Sequence, residues 1–148
     1  QLMCLDSNGP AEPPAGCISD EQLAWLDAIC SAPDERPLVV AVHHNPLPVG
    51  IPWLDDFMGL TNGDDLHRIL RKAGPRLRGV FHGHIHMGAD IYRDGILYSA
   101  VPSPWRQFKV WPGRTSLDTL HDTVAQPGFN VITIDDRGTF IQRHRYRL

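Results

Sequence analysis

The chain has 148 residues, of which 42% are hydrophobic and 21% are charged, and its formal net charge is −3. This length allows one domain, and this composition is ordinary for a globular protein. The charge gives no reason to expect a nucleic acid polymer or an anionic membrane as a partner, and no apolar run is long enough to span a bilayer.

The predicted elements begin with a short apolar strand at residues 2–5, followed by a loop rich in proline and glycine. Ser19 is a good helix N-cap, and Gln22 three residues later completes a capping-box pattern. Apolar residues then recur at helical spacing, which predicts an amphipathic helix over residues 20–31. Residues 38–42 are a continuous apolar and β-branched run, as expected for a strand buried on both faces.

A long irregular stretch is predicted for residues 47–61. A second helix is predicted to begin at Asn62 or Asp64 and to end before Gly74 and Pro75, and residues 77–81 form the next predicted strand. This strand–helix–strand order predicts a βαβ unit with parallel strands.

The carboxy-terminal part of the chain predicts two β-hairpins. The first comprises residues 90–93 and 96–101 around an Asp-Gly turn, and the second comprises residues 129–134 and 139–144. A loop rich in proline, tryptophan and glycine, residues 102–128, is predicted between them. The fold class is therefore α/β, a βαβ unit followed by β-hairpins.

Histidines follow both strands of the βαβ unit. His43 follows the first strand, and His84 and His86 follow the second. Because ligands bind at the carboxyl ends of parallel strands, these imidazoles could meet on metal ions there. We expect Gly83 to permit a close approach of the backbone that a side chain would block. His84 and His86 are two residues apart, so in an extended chain their side chains should point the same way. Each of them could then bind one of two adjacent metal ions. Taken singly, each motif would more often be a surface or core histidine.

The remaining histidines and the cysteines receive simpler interpretations. His44 and His82 are predicted to be buried residues that support the metal ligands from behind rather than ligands themselves. The three other histidines, His67, His121 and His144, are predicted to lie on the surface. Each of the three cysteines is expected to be a small buried apolar group, and the absence of a CxxC pair fits a reducing, cytoplasmic location.

Residues 42–50 and 81–86 resemble the last two motifs of the calcineurin-like metallophosphoesterases, and more closely those of the class III cyclic-nucleotide phosphodiesterases, which include bacterial cyclic-AMP enzymes. The similarity continues through shorter matches at residues 53–55, 59–62, 102–103, 107–109, 116–119 and 127–129. It therefore covers nearly the whole chain.

The resemblance implies the carboxy-terminal half of a four-layer αββα sandwich, with residues 1–148 forming the carboxy-terminal part of a phosphoesterase domain. It implies a site with two divalent ions (iron, manganese or zinc) and a bridging hydroxide that attacks a phosphodiester such as 3',5'-cyclic AMP. His43 and His84 would bind the second metal, and His86 would bind the first and lie near the substrate phosphate. The family's Asp-x-His, Gly-Asp-x-x-Asp and Gly-Asn-His motifs are missing from this sequence, and we assign no residue of the chain as catalytic.

Several alternatives stay open at this point. Arg106 stands where relatives often carry histidine or a small residue, and it could grip a substrate phosphate or pack on Trp105 or Trp111. The substrate could be a glycerophosphodiester or a broad set of phosphodiesters, and the chain could instead be a non-catalytic metal-binding or association module. We expect the isolated chain to be inactive, with partial or no metal occupancy. We also expect an open sheet face that is covered by the missing amino-terminal half or by a second copy.

Overall fold

The computed structural model describes residues 1–113, 121–122 and 124–147. Its elements in chain order are β1 Leu2–Leu5, α1 Asp20–Ser31, β2 Leu38–Val42, α2 Pro52–Phe57, α3 Gly63–Leu70, a 3-10 helix Arg71–Arg76, β3 Leu77–His82, β4 Asp90–Arg93, β5 Ile96–Ala100, β6 Gln107–Phe108, β7 His121–Asp122, β8 Gly128–Asp135 and β9 Gly138–Arg145.

The main sheet has five strands in the order β1-β2-β3-β5-β4. Strands β1, β2, β3 and β5 pair in parallel, whereas β4 pairs antiparallel with β5 as the edge strand. The α/β fold class and the βαβ unit are confirmed, and the parallel sheet is larger than predicted because β1 and β5 also join it. The carboxyl ends of four strands therefore meet at one edge.

Helix α1 spans the predicted residues 20–31, whereas α3 begins at the predicted position but ends at Leu70 and continues as a 3-10 helix to Arg76. The Ser19 side chain accepts a hydrogen bond from the backbone N–H of Gln22 and caps α1. Asn62 is the N-cap residue of α3, but its side chain bonds the backbone of Ile18 instead, which joins the two helices at their amino ends. The 3-10 helix that continues α3 is interrupted at Gly74, which has a left-handed φ of 56°.

Helices α1 and α3 cover one face of the sheet and form the main core with it. Alternate residues of β2 and the neighbouring strands point toward α1 and α3 and are buried, including Leu38, Val40, Val42, Val80 and Tyr98. Leu26 of α1 and Leu66 of α3 are 0% exposed and fill the space between the layers.

The β8–β9 hairpin lies across the other face of the sheet. Thr139 donates its hydroxyl to the backbone carbonyl of Arg78 at 2.6 Å, and Arg143 forms an ion pair with Asp90. Between the two layers is an apolar cavity of about 480 Å³, lined by Leu2, Val39, Ala41, Phe81, Ile132 and Ile134 among others. This face is thus covered incompletely by the described residues.

Two stretches predicted as loops contain regular structure. Helix α2 lies within the stretch predicted to be irregular, because the Asp55 carboxylate accepts hydrogen bonds from three successive backbone N–H groups, those of Val49, Gly50 and Ile51, and closes the turn that starts the helix. The predicted loop 102–128 contains the antiparallel pair β6–β7. The family match at residues 116–119 lies outside the described residues.

The cysteines differ from one another. Cys30 is buried in the main core, and burial raises the pKa of its thiol. Cys4 is exposed and Cys17 is partly exposed, so the expectation that each cysteine is buried was wrong for these two. Among the described residues, no helix has the length and apolar character needed to cross a membrane.

Candidate metal centre

The three histidines predicted as ligands lie at one cleft. His43 follows β2 and His84 follows β3, its parallel neighbour, and their ring nitrogens Nε2 and Nδ1 are 3.0 Å apart. His86 lines the same cleft of about 210 Å³, together with Pro102, Ser103 and Pro104 from the segment after β5.

The hydrogen bonds of His84 define its tautomer. Its Nε2 lies 2.9 Å from the backbone carbonyl of Pro14, and because a carbonyl only accepts, this nitrogen carries the proton. In the neutral ring, Nδ1 then holds a lone pair, which accepts a hydrogen bond from Nε2 of His43. A histidine that donates one ring N–H to a backbone carbonyl and directs the lone pair of its other nitrogen at the site has the usual arrangement of a metal ligand.

The ring of His84 is neutral at physiological pH. Burial lowers its pKa to about 4, and the neighbouring rings of His44 and His43 add to this effect. A neutral imidazole is the form that binds metal ions. Burial likewise lowers the pKa of His86.

The backbone of the His-x-His segment is not extended, contrary to the prediction. His84 and His86 both have left-handed φ angles, 65° and 49°, which non-glycine residues seldom adopt. Such conformations persist where the surroundings impose them, and they are common at ligand-binding sites. The role expected for Gly83 was also wrong, because a Cβ atom there would approach no neighbour closer than 3.8 Å.

His86 is held by an aromatic contact. Its ring stacks on Phe108 with centroids 4.5 Å apart, and the Phe108 backbone N–H donates to the His86 carbonyl at 3.1 Å. Its Nδ1 atom is buried and has no hydrogen-bond partner. A buried polar atom without a partner is costly unless another group binds it, so this nitrogen fits a metal ligand.

His44 and His82 lie behind the cleft. His44 is 5% exposed, its Nδ1 lies 2.7 Å from the Ser7 hydroxyl, and its ring centroid lies 4.3 Å from that of His84. His82 is the last residue of β3 and is 4% exposed; burial lowers its pKa to about 4, and its Nδ1 has no partner.

These residues fit part of a metal centre. Two nitrogens 3.0 Å apart can bind one ion with metal–nitrogen bonds of about 2.0–2.1 Å, at an angle of about 90°. Within the described ranges, no three His, Cys, Asp or Glu side chains already stand in an arrangement that could hold a metal ion. The donor set therefore fits two ligands of one ion and an additional nitrogen at the same cleft.

The other histidines and Arg106 have different surroundings. The surface prediction for His67 was wrong: it is 5% exposed and bridges the Tyr98 hydroxyl at 2.7 Å and the Asp94 carboxylate at 2.9 Å. His144 is exposed as predicted, whereas His121 is only partly exposed. The guanidinium of Arg106 lies 4.4 Å from the centre of the Trp105 ring, so it packs on this tryptophan.

Sequence reasoning missed the contribution of the segment after β1. Ser7, Pro14 and Gly16 contact the histidines of the cleft or their neighbours, because β1 is the parallel neighbour of β2 and its carboxyl end reaches the same edge. The short apolar strand at residues 2–5 carried this signal. Its parallel pairing with β2 would have placed these residues beside the histidines.

Comparisons with known proteins confirm the family resemblance. No family model matches the chain. Curated relatives named 3',5'-cyclic adenosine monophosphate phosphodiesterase CpdA are 34% identical over 94% of this chain in Escherichia coli K12 and 36% identical over 93% in Pseudomonas aeruginosa. A Nostoc protein named 3',5'-cyclic-nucleotide phosphodiesterase is 29% identical over 90% of this chain. The chain covers 48% of each of these three relatives, so it spans about half their length.

A solved structure supports the fold. A dimetal phosphatase from Danio rerio matches 59% of this chain and 27% of its own with a TM-score of 0.50 and 22% sequence identity. At this identity the match shows the fold alone, and it agrees with the parallel sheet and hairpins described above.

Proposed function

We propose that this chain is part of a metal-dependent phosphodiesterase of the calcineurin-like superfamily that hydrolyses a cyclic nucleotide such as 3',5'-cyclic AMP. The observation that carries the proposal is the His43–His84 pair at the carboxyl edge of a parallel sheet, with His84 oriented by a backbone carbonyl. The similarity to relatives named for this activity extends over 94% of the chain.

In this proposal His43, His84 and His86 bind divalent ions (iron, manganese or zinc), and His86 also lies near the substrate phosphate. When bound, two such ions would make water a nucleophile near neutral pH and neutralise charge on the phosphoryl oxygens. The protein residues hold the ligands in place. The Pro14 carbonyl keeps the proton of His84 on Nε2, and Phe108 fixes the plane of His86.

His44 and His82 support the metal ligands without binding metal themselves. The Ser7 hydroxyl holds the ring of His44, which packs against His84 and limits its movement. Burial keeps His82 neutral at the end of β3, where a charged ring would oppose a nearby cation. Arg106, expected from the sequence as a possible phosphate-binding residue, packs on Trp105 and is not needed for this scheme.

The remaining metal ligands would come from a segment that carries the missing motifs. We call this chain together with that segment the whole protein. The same segment, rather than a second copy of the chain, would cover the apolar cavity beside β2 and β3. The isolated 148 residues are then inactive, because they lack the bridging carboxylate and the amide ligand that the family uses.

The test compares the whole protein with residues 1–148 in hydrolysis of cyclic AMP and of a generic aryl phosphodiester. We expect turnover by the whole protein that His84→Ala abolishes and His144→Ala leaves unchanged, and no turnover by the isolated chain above that of buffer with metal. Hydrolysis by the isolated chain that depends on His84 would contradict the division of the site. A whole protein without phosphodiesterase activity in Fe²⁺, Mn²⁺ or Zn²⁺ would refute the function.

A further inference from the structure

An exposed tryptophan lies on a fixed loop beside the histidine cleft. Trp105 is 56% exposed, yet it follows Pro104, which lines the cleft that contains the three histidines. Tryptophan and arginine are enriched among the residues that contribute most to binding at interfaces, and an arginine cation is attracted to the face of a tryptophan ring.

The loop that carries Trp105 is held by side chain–backbone hydrogen bonds on both sides. The Gln107 side chain accepts from the Ser103 N–H at 3.2 Å and donates to the Ser103 carbonyl at 2.7 Å. The Ser103 hydroxyl accepts from the Trp105 N–H at 3.2 Å, and the Tyr146 hydroxyl donates to the carbonyl of Pro104. Ser103 and Gln107 are themselves buried, so the backbone at Trp105 is fixed while its ring remains open to solvent.

The ring of Trp105 is connected to the cleft through other rings. The ring centroid of Trp105 lies 6.2 Å from that of His121, His121 lies 5.9 Å from Phe108, and Phe108 stacks on His86 at 4.5 Å. The guanidinium of Arg106 lies over the Trp105 ring at 4.4 Å. A row of aromatic rings thus leads from His86 in the cleft to Trp105, and the Arg106 cation packs on this tryptophan.

We propose that Trp105, with Arg106 packed against it, is the stacking platform for the base of the nucleotide substrate. The inference rests on the proposed function, since it assigns to Trp105 the binding of the base, the part of a cyclic nucleotide that takes no part in hydrolysis. Indole rings and arginine planes both stack on nucleobases, and this stacking is tolerant of base identity because every base has a π-face. The platform therefore favours phosphodiesters that carry a nucleobase over phosphodiesters that carry none, and it discriminates weakly between the bases.

The test measures kcat and KM of the whole protein for two substrates. One is cyclic AMP, and the other is the 3',5'-cyclic phosphate of methyl riboside, which keeps the sugar and phosphate but has no base; phosphorus NMR follows both. We expect Trp105→Ala to raise KM for cyclic AMP about tenfold with little change in kcat, and to leave the base-free substrate within about twofold. Trp105→Phe should restore most of the affinity, and Trp25→Ala, an exposed tryptophan on α1, is the matched control.

A second measurement separates failure of this inference from failure of the proposed function. In the whole protein, ¹⁵N-labelled tryptophan gives one indole N–H resonance per ring, and cyclic AMP should shift the resonance assigned by Trp105→Phe whether or not hydrolysis follows. A shift of the Trp105 indole resonance on addition of cyclic AMP, without hydrolysis, would support the stacking platform and refute the phosphodiesterase activity. Hydrolysis of cyclic AMP with no shift of the Trp105 resonance would refute the platform alone. So would an equal loss of kcat/KM for both substrates in Trp105→Ala.

Discussion

Gly16 lets the segment after β1 approach His44 closely. A Cβ atom built on Gly16 would lie 2.4 Å from the Cγ and Nδ1 atoms of the His44 ring and 2.8 Å from the Ser7 carbonyl oxygen. Gly16→Ala must therefore displace the ring and break its 2.7 Å contact with the Ser7 hydroxyl. Overpacking costs about 1–3 kcal/mol, and leaving a buried polar group unpaired costs a similar amount, so we expect a loss of about 3 kcal/mol in the free energy of unfolding.

Thermal unfolding followed by circular dichroism measures this loss, which should lower Tm by about 10 °C in a chain of this size. The matched control is Gly83→Ala, whose Cβ would meet its nearest neighbour at 3.8 Å, an ordinary contact. We expect this control to change the free energy of unfolding by less than about 0.5 kcal/mol. Equal Tm values for Gly16→Ala and the unmodified chain, or a larger loss in Gly83→Ala, would refute the packing described around His44.

Three further predictions concern the helix-covered side of the sheet and the thiols. Tyr98→Phe removes the hydroxyl that bonds His67 at 2.7 Å and should cost about 1–2 kcal/mol in urea-induced unfolding; no change would contradict a buried bridge. The hydrogen bond from His67 lowers the pKa of Asp94, so its stabilising effect is complete above the ordinary value of 3.8 and is lost as the pH falls below it. The Tm difference between the unmodified chain and Asp94→Asn should therefore be larger at pH 6 than at pH 3, and a constant difference would count against this linkage. A thiol reagent at pH 8 should modify exposed Cys4 quickly and leave buried Cys30 unmodified until the chain unfolds, as peptide mapping would show; equal rates would contradict the assigned burial.

The βαβ unit could be predicted from sequence because its signals are local, whereas the parallel pairing of β1 and β5 with this unit was not predicted. Continuous apolar runs gave β2 and β3, and the Asp94-Gly95 pair gave the first hairpin, in which both residues have the left-handed φ angles of a primed turn, 51° and 81°. From β2 and β3 alone, His43 and His84 could be placed at one edge of the sheet, with no tertiary contact known.

The features that sequence reasoning missed depend on contacts distant in the chain or on side chain–backbone bonds. Helix α2 forms where a proline-rich stretch predicts a loop, since one carboxylate accepts three backbone N–H groups. His67 was assigned to the surface because its position on α3 does not reveal that Tyr98, 31 residues later, lies opposite it. The left-handed backbone of His84 and His86 could not be predicted from sequence, because histidine adopts this conformation in a minority of cases even though it does so more often than most non-glycine residues.

The central claim is that His43, His84 and His86 bind metal in the whole protein. Crystals of the whole protein grown with Mn²⁺ and measured near the manganese absorption edge give anomalous difference density at each bound ion. We predict density about 2.0–2.3 Å from the ring nitrogens of His43 and His84, with His86 bound to an ion in the same cleft. Bound manganese that is held by other residues, with these three rings uncoordinated, would contradict the claim.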